Sequence, residues 1–459
     1  YNGNDGPVFM NLTIKDCSVT GSTITGKGSC GGIIGHGSCA AWTAVNIQNT
    51  IVSDNYVIST GSSTNKAGAV MGTIGAAGQP TTANGVTMTG GAMVAAIVSD
   101  NTVTSGGTAI TTIYGRQGTD TGILELNGGS YDNYPIEQNV AYAKPAAGLM
   151  IELNEYGTYG LVEDPAYGKV AMIGETYYET LSAAFAAVTG DEQTVVILSD
   201  VTEKLEGANL RGNITTKDGT KVTITLTNEN WVYCPYTFIL GENITLNVPA
   251  LFYYAGGAQI NGTVVAGAYY QRYADTKLTI NEPGSMKVTT ETFIVRYMDG
   301  DPNAGIYIIG DNNDETIGLE ASVIYFYQGM INAKDADIKV GTYWQTNETD
   351  NEGSANLVLD NSNMTVTVNE HNMKATANST VTLTNGSNVT VAGGYQGVGV
   401  SIDATSSMTM ARSIFVSKIN NYHYTSLQGA VNVGGEVTVL QDITLTEGIV
   451  IPADKTVTL

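Results

Sequence analysis

Three segments of the sequence combine residue types that could do chemistry. Gly35-His36-Gly37 sets a histidine between glycines, and glycoside cleavage would need it beside two carboxylates spanning the scissile bond. Only Asp5 and Asp16 precede it and no Arg-Ile-Lys follows, so it reads as a histidine at a glycine corner. Gly118-Thr-Asp-Thr-Gly122 holds the Asp-Thr-Gly of a proton-sharing carboxylate dyad, but it has no second copy and no apolar lead into Asp120. A polar turn is the ordinary reading. The most charged stretch runs from Arg296-Tyr-Met-Asp299-Gly-Asp301-Pro-Asn303 through Asp311-Asn-Asn-Asp314-Glu315. Its clustered oxygens would suit Ca²⁺, and Arg296 beside Asp299 and Asp301 is a set a polysaccharide lyase would use for proton abstraction. The EF-hand template fails, because Ala304 replaces the required glycine and Gly310 stands where a bidentate glutamate belongs.

Aromatic residues form a fourth candidate. They cluster at Leu251-Phe-Tyr-Tyr254, at Tyr269-Tyr-Gln-Arg-Tyr273 and at Val323-Ile-Tyr-Phe-Tyr327. Flat rings on one side of a sheet would make a carbohydrate platform, with tyrosine hydroxyls supplying hydrogen bonds. Tyr269, Tyr270 and Tyr273 are the candidate glycan contacts, against the alternative that they simply clad a strand surface. Histidine is scarce: His36, His371 and His423 are the only three. Nucleotide-binding and zinc-protease motifs are absent, so no cofactor is expected apart from Ca²⁺.

Whatever positions these residues must be large and β-rich. The chain has 459 residues, beyond the ~250–300 at which one compact core stops growing. Only 14% are charged, and 55 are glycine among abundant Thr, Asn, Ser and Val. Twenty Lys plus Arg against 43 Asp plus Glu give a net charge of -23, a field that repels nucleic acid and anionic membranes. No apolar run is long enough to insert in a membrane. Four cysteines, Cys17, Cys30, Cys39 and Cys234, are too few for a disulfide scaffold; Cys30 and Cys39 could close a short loop or stay as buried thiols.

Repeats set the architecture. Ile51-Val-Ser-Asp-Asn-Tyr-Val57 recurs as Ile97-Val-Ser-Asp-Asn-Thr-Val103, with a looser copy at Ser18-Val-Thr-Gly-Ser-Thr-Ile24. A second series is Ser285-Met-Lys-Val288, Ser362-Asn-Met-Thr-Val366, Ser387-Asn-Val-Thr-Val391 and Ser407-Met-Thr-Met410, each of the first three preceded by an alternating strand. A strand, a Gly/Asn/Ser corner and another strand every ~20–25 residues is the coil of a parallel β-helix, with Thr and Asn forming ladders along the stack. Between these series, Leu181, Ala184, Phe185 and Val188 take helical spacing, so a helix near 178–189 is expected to cap an open coil end. The same order of elements returns from Tyr424, 246 residues after Tyr178. The expected units are therefore 1–165, 166–410 and the start of a further module at 411–459, in a piece of a longer protein.

The unit Val170-Ala-Met-Ile-Gly174, Tyr178-Glu-Thr-Leu-Ser-Ala-Ala184, Val195-Val-Ile-Leu-Ser-Asp-Val-Thr202 resembles a module of large adhesin-like cell-surface proteins of gut bacteria. Leu124-Glu-Leu-Asn-Gly-Gly-Ser-Tyr131, with Tyr134-Pro135 and Tyr159-Gly-Leu-Val162, looks like the element that often precedes it. Gly31-Gly-Ile-Ile-Gly35 and the Val-Ser-Asp-Asn units are similar to GLUG-type repeats of the same proteins. The resemblance implies an extracellular, pectate-lyase-like, right-handed parallel β-helix at a bacterial surface and carries no catalytic residues. The expectation is an all-β adhesive stalk, binding host or microbial glycans or surface proteins. The alternatives are a polysaccharide lyase or glycoside hydrolase of the same build and a filament subunit that associates head to tail.

Overall fold

The computed structural model describes residues 9–36, 41–62, 67–74, 82–83, 86–87, 90–110, 113–117, 124–132, 143–153, 158–253, 257–272, 276–290, 293–296, 304–311, 317–345, 355–368, 373–376 and 378–459. The protein is all-β, mostly parallel strands with two seven-residue α-helices among the described residues. Two compact units divide the chain, Tyr1–Gly168 and Lys169–Leu459.

In the second unit the chain passes back and forth between a 15-stranded and a 14-stranded sheet, adding one rung to each on every circuit. This is a β-solenoid. Two-residue alternation puts aliphatic side chains inward, as in Val222–Leu226 and Ala355–Asp360. Leu278, Ile306, Ile331, Leu357, Val381 and Val400 pair in succession and are at most 1% exposed. Burying each such side chain is worth about 1.5–3 kcal/mol, so the row is a continuous apolar spine. Register also confirms the sequence period: Met286 pairs with Leu319, Leu319 with Ile338 and Ile338 with Met364, three rungs between the first two copies of the Ser-led series.

Corners are held by polar ladders. Ser362 Oγ accepts from the Ala336 amide, Ser387 Oγ from the Ser362 amide and Ser406 Oγ from the Ser387 amide, each at 3.1 Å. The third rung is Ser406 and not Ser407, because Ser407 pairs with Asn388 in the adjoining strand. Just before them, Asp335, Asn361 and Asn385 take left-handed backbone (φ 55, 49 and 56), the conformation that Asx residues tolerate best. The Asp403 carboxylate accepts from the amides of Asn385, Thr405 and Ser406, foremost from Asn385, which holds it well below the usual aspartate range.

The first unit uses the same device. Asp54 and Asp100 make the left-handed corner, matched by Gly21 in the looser copy. Behind them Asn55, 1% exposed, donates to Val19 O and Asn101 Oδ1 and accepts from the Ser22 amide, while Asn101 donates to Val52 O. The three copies read from the sequence are thus three successive coils, with Val19 on Val52 and Val52 on Val98. Cys30 is a free buried thiol donating to Ile58 O, and Cys39 lies outside the described residues.

The same hairpin-helix motif stands at both ends of the 15-stranded sheet. Helix α1 (Leu181–Ala187) starts at Thr180, whose hydroxyl accepts from the Ala183 amide, and buries Leu181, Ala184 and Phe185 in the core of the first coil. The hairpin before it puts Ala171 antiparallel to Ile197. Helix α2 (Leu427–Val433) starts at Ser426 in the same way, its hairpin places Ser417 antiparallel to Val439, and its buried face belongs to a small separate core with Tyr424 and Val437. Strand Tyr422–Tyr424 runs antiparallel to Val400–Ile402, the last parallel rung, so the chain's own hairpin occupies that edge.

Asn55→Ala should lower unfolding stability by about 2–3 kcal/mol in urea titrations, since it strands a buried amide and carbonyl. Asp403→Asn should lower the melting temperature at pH 7. Its carboxyl is depressed, so the stabilisation is full above the ordinary aspartate range and is lost progressively as pH falls from about 4 towards the depressed folded value, the gap between variant and parent narrowing over that interval.

Candidate functional site

The aromatic clusters are positioned by a corner inside each long strand of the 14-stranded sheet. In Thr263–Arg272, Val264 and Ala266 point inward, Gly267 and Ala268 turn the corner, and Tyr269 and Gln271 then point inward. The corner uses one residue more than alternation allows, so inward parity passes from even to odd positions. Ile317–Phe326 and Asp337–Gln345 do the same, with Leu319 and Ala321 then Ile324 and Phe326, and Ile338 and Val340 then Tyr343 and Gln345. At Gly341 a Cβ would sit 2.2 Å from Ser322 O, so the corner backbones touch and only glycine fits.

The shift sorts the predicted glycan contacts. Tyr269 is 0% exposed, and its hydroxyl donates to Gln271 Oε1 at 2.9 Å. It faces the core, which corrects its assignment as a surface contact. Tyr270 stays on the solvent side, and Tyr273 lies outside the described residues. Successive rungs place Tyr233, Phe252, Tyr270, Ile294, Tyr325, Trp344, Lys374 and Gln396 in one column. Tyr233 is 49% exposed; Tyr270, Tyr325 and Trp344 are half-buried. Trp344 packs edge-on against Tyr325 at 5.3 Å, and Trp231 leans on Tyr270 at 6.1 Å. Lys374 and Gln396 lead into a cavity of about 600 Å³ that Tyr422 and Tyr424 also line.

Beyond the corner runs a charged column. Lys287, Glu320 and Lys339 occupy consecutive rungs, with Glu320 3.0 Å from Lys287 Nζ and 3.8 Å from Lys339 Nζ. Such half-exposed pairs add little stability. A groove of about 430 Å³ lies beside them, lined by Thr289, Ser322, Gly341 and Thr367 from the corner. Trp231, Tyr233, Trp344 and the two lysines were missed in the sequence. The available signal was the triplet Tyr269-Tyr270-Gln271 recurring as Tyr343-Trp344-Gln345.

The other candidates fall only partly among the described residues. Arg296 ends strand Phe293–Arg296, while Asp299, Asp301, Asp314, Glu315, Gly118–Gly122 and His371 lie outside the described residues. His36 sits in strand Ile34–His36, paired with Thr73. His423 Nδ1 lies 3.0 Å from Asn421 O. No group of three His, Cys, Asp or Glu able to hold a metal occurs among the described residues, and no helix among them is long and apolar enough to cross a membrane. No family model, curated protein or solved structure matches the chain.

Beneath the aromatic column the inner Tyr-Gln pairs differ. Gln271 Nε2 donates to Thr276 O and Gly305 O while its Oε1 accepts from Tyr269. Gln345 Nε2 donates to Ala355 O and Thr380 O, but Gln345 Oε1 and the Tyr343 hydroxyl find no hydrogen-bond partner among the described residues. Burial pushes the Tyr343 phenol well above its ordinary range, so it stays neutral. Tyr269→Phe should cost about 1 kcal/mol in urea unfolding by orphaning Gln271 Oε1, whereas Tyr343→Phe should be neutral or stabilising.

Proposed function

We propose that this chain is an extracellular, adhesin-like β-solenoid stalk of a bacterial surface, and that its second unit binds glycans along the outward column of Tyr233, Tyr270, Tyr325 and Trp344. The observation that carries the proposal is the register that aligns these rings. These four rings recur every one or two rungs, at multiples of about 4.8 Å, and offer an apolar strip along which a polymer of flat-faced sugars could lie. Strand backbones fix the rings before any ligand arrives, so little ordering entropy opposes binding. The solenoid frame and the hairpin-helix motif repeated at its ends favour a modular stalk, in keeping with the resemblance to adhesin-like modules.

A glycan array followed by calorimetry tests this. Binding without reducing-end or unsaturated products is expected. Trp344→Ala should weaken it by roughly tenfold, about 1.4 kcal/mol, while the melting temperature holds. Absence of binding to any glycan, or a Trp344→Ala variant that binds like the parent, would reject the reading. Turnover would place the chain among β-helix polysaccharide-degrading enzymes instead.

A further inference from the structure

We infer that the ligand of this face is an anionic glycan, one carrying carboxylate or sulfate groups, laid along the solenoid axis; this rests on the glycan reading above. The protein as a whole is strongly acidic, with 20 cationic against 43 acidic residues. The solvent face between the 263–272 and 373–375 strands reverses that balance. Lys287, Lys339 and Lys374 stand on it against Glu320 and Asp337. Among the described side chains, three lysines against two carboxylates leave a local excess of one positive charge.

The arrangement suits a charged polymer better than a point ligand. Lys287 and Lys339 are two rungs apart, roughly 10 Å, with Glu320 between them. Their side chains are 51% and 48% exposed. One carboxylate serves two ammonium groups, so the trio keeps a net positive charge while Glu320 restrains both lysines. Along each strand the order is charged column, corner and aromatic column: Glu320, Ser322, Tyr325 on one rung and Lys339, Gly341, Trp344 on the next. A sugar chain across that corner would meet rings on one flank and ammonium groups on the other. At physiological salt, screening over about 8 Å confines the repulsion of the remaining acidic surface, while contact pairs in the groove persist.

The test is calorimetric titration of the full chain with alginate, heparin and a neutral β-glucan of matched length, at low and moderate salt. The anionic chains should bind at least tenfold more tightly than the neutral one, and added salt should shrink the difference. The double variant Lys287→Gln/Lys339→Gln should lose this preference yet keep neutral-glucan binding, while Trp344→Ala should weaken all three. Neutral glucan bound as tightly as the anionic chains, with no effect of the double variant, would overturn this inference and leave the glycan reading standing. Binding to none of the three or to any other glycan would overturn both. Equal binding of polyglutamate, insensitive to Trp344→Ala, would mark mere polyanion attraction and also overturn it. Unchanged melting temperatures show that the variants remain folded.

Discussion

In-register parallel hydrogen bonding between successive coils is the constraint on which the remaining structure depends. Every backbone N–H and C=O along a rung needs a partner on the next, and a partner is guaranteed only if each coil repeats the path of its predecessor. Side-chain direction is then copied as well. A position that points inward on one coil points inward on all, which makes the Leu278-to-Val400 row a spine and the Tyr270-to-Trp344 column a surface. Core and candidate site are two faces of one pairing rule.

Corners and ends are where that rule meets its limits. A turning backbone leaves amides that the neighbouring coil cannot always reach, and stacked Asn55 and Asn101 or Ser362, Ser387 and Ser406 reach them with side chains. Left-handed Asp and Asn residues make the turn itself. At the last rung there is no next coil, so an edge would stand open to any passing strand. A hairpin answers this at both ends of the 15-stranded sheet, each followed by a helix, capped by Thr180 and Ser426. A buried mismatch, at Tyr343 and Gln345, lies under the aromatic column and is the point where one copied pair fails to close.

The acidic character of the chain and the cationic character of one face are compatible because they act at different ranges. Net charge sets the long-range field, which salt screens, while Lys287 and Lys339 act across a few ångströms on whatever enters the corner groove. Rigid strands carry both columns, so their spacing is fixed by backbone geometry and not by loop conformation.

Composition, two-residue alternation and the recurring Ser-led and Val-Ser-Asp-Asn units determined the all-β class, the coil period and the helix at Leu181–Ala187, because these depend on local residue preference and repetition. Sequence also marked the aromatic clusters, but it could not tell which tyrosine of an adjacent pair faces solvent. The corner at Gly267 and Ala268 takes an extra residue and reverses parity, sending Tyr269 to the core and Tyr270 to the surface. Nor could it align Tyr233, Tyr270, Tyr325 and Trp344, since loops of unequal length separate them and only coil-on-coil pairing cancels those differences. The period belongs to the sequence; the register, and with it the binding face, belongs to the stack.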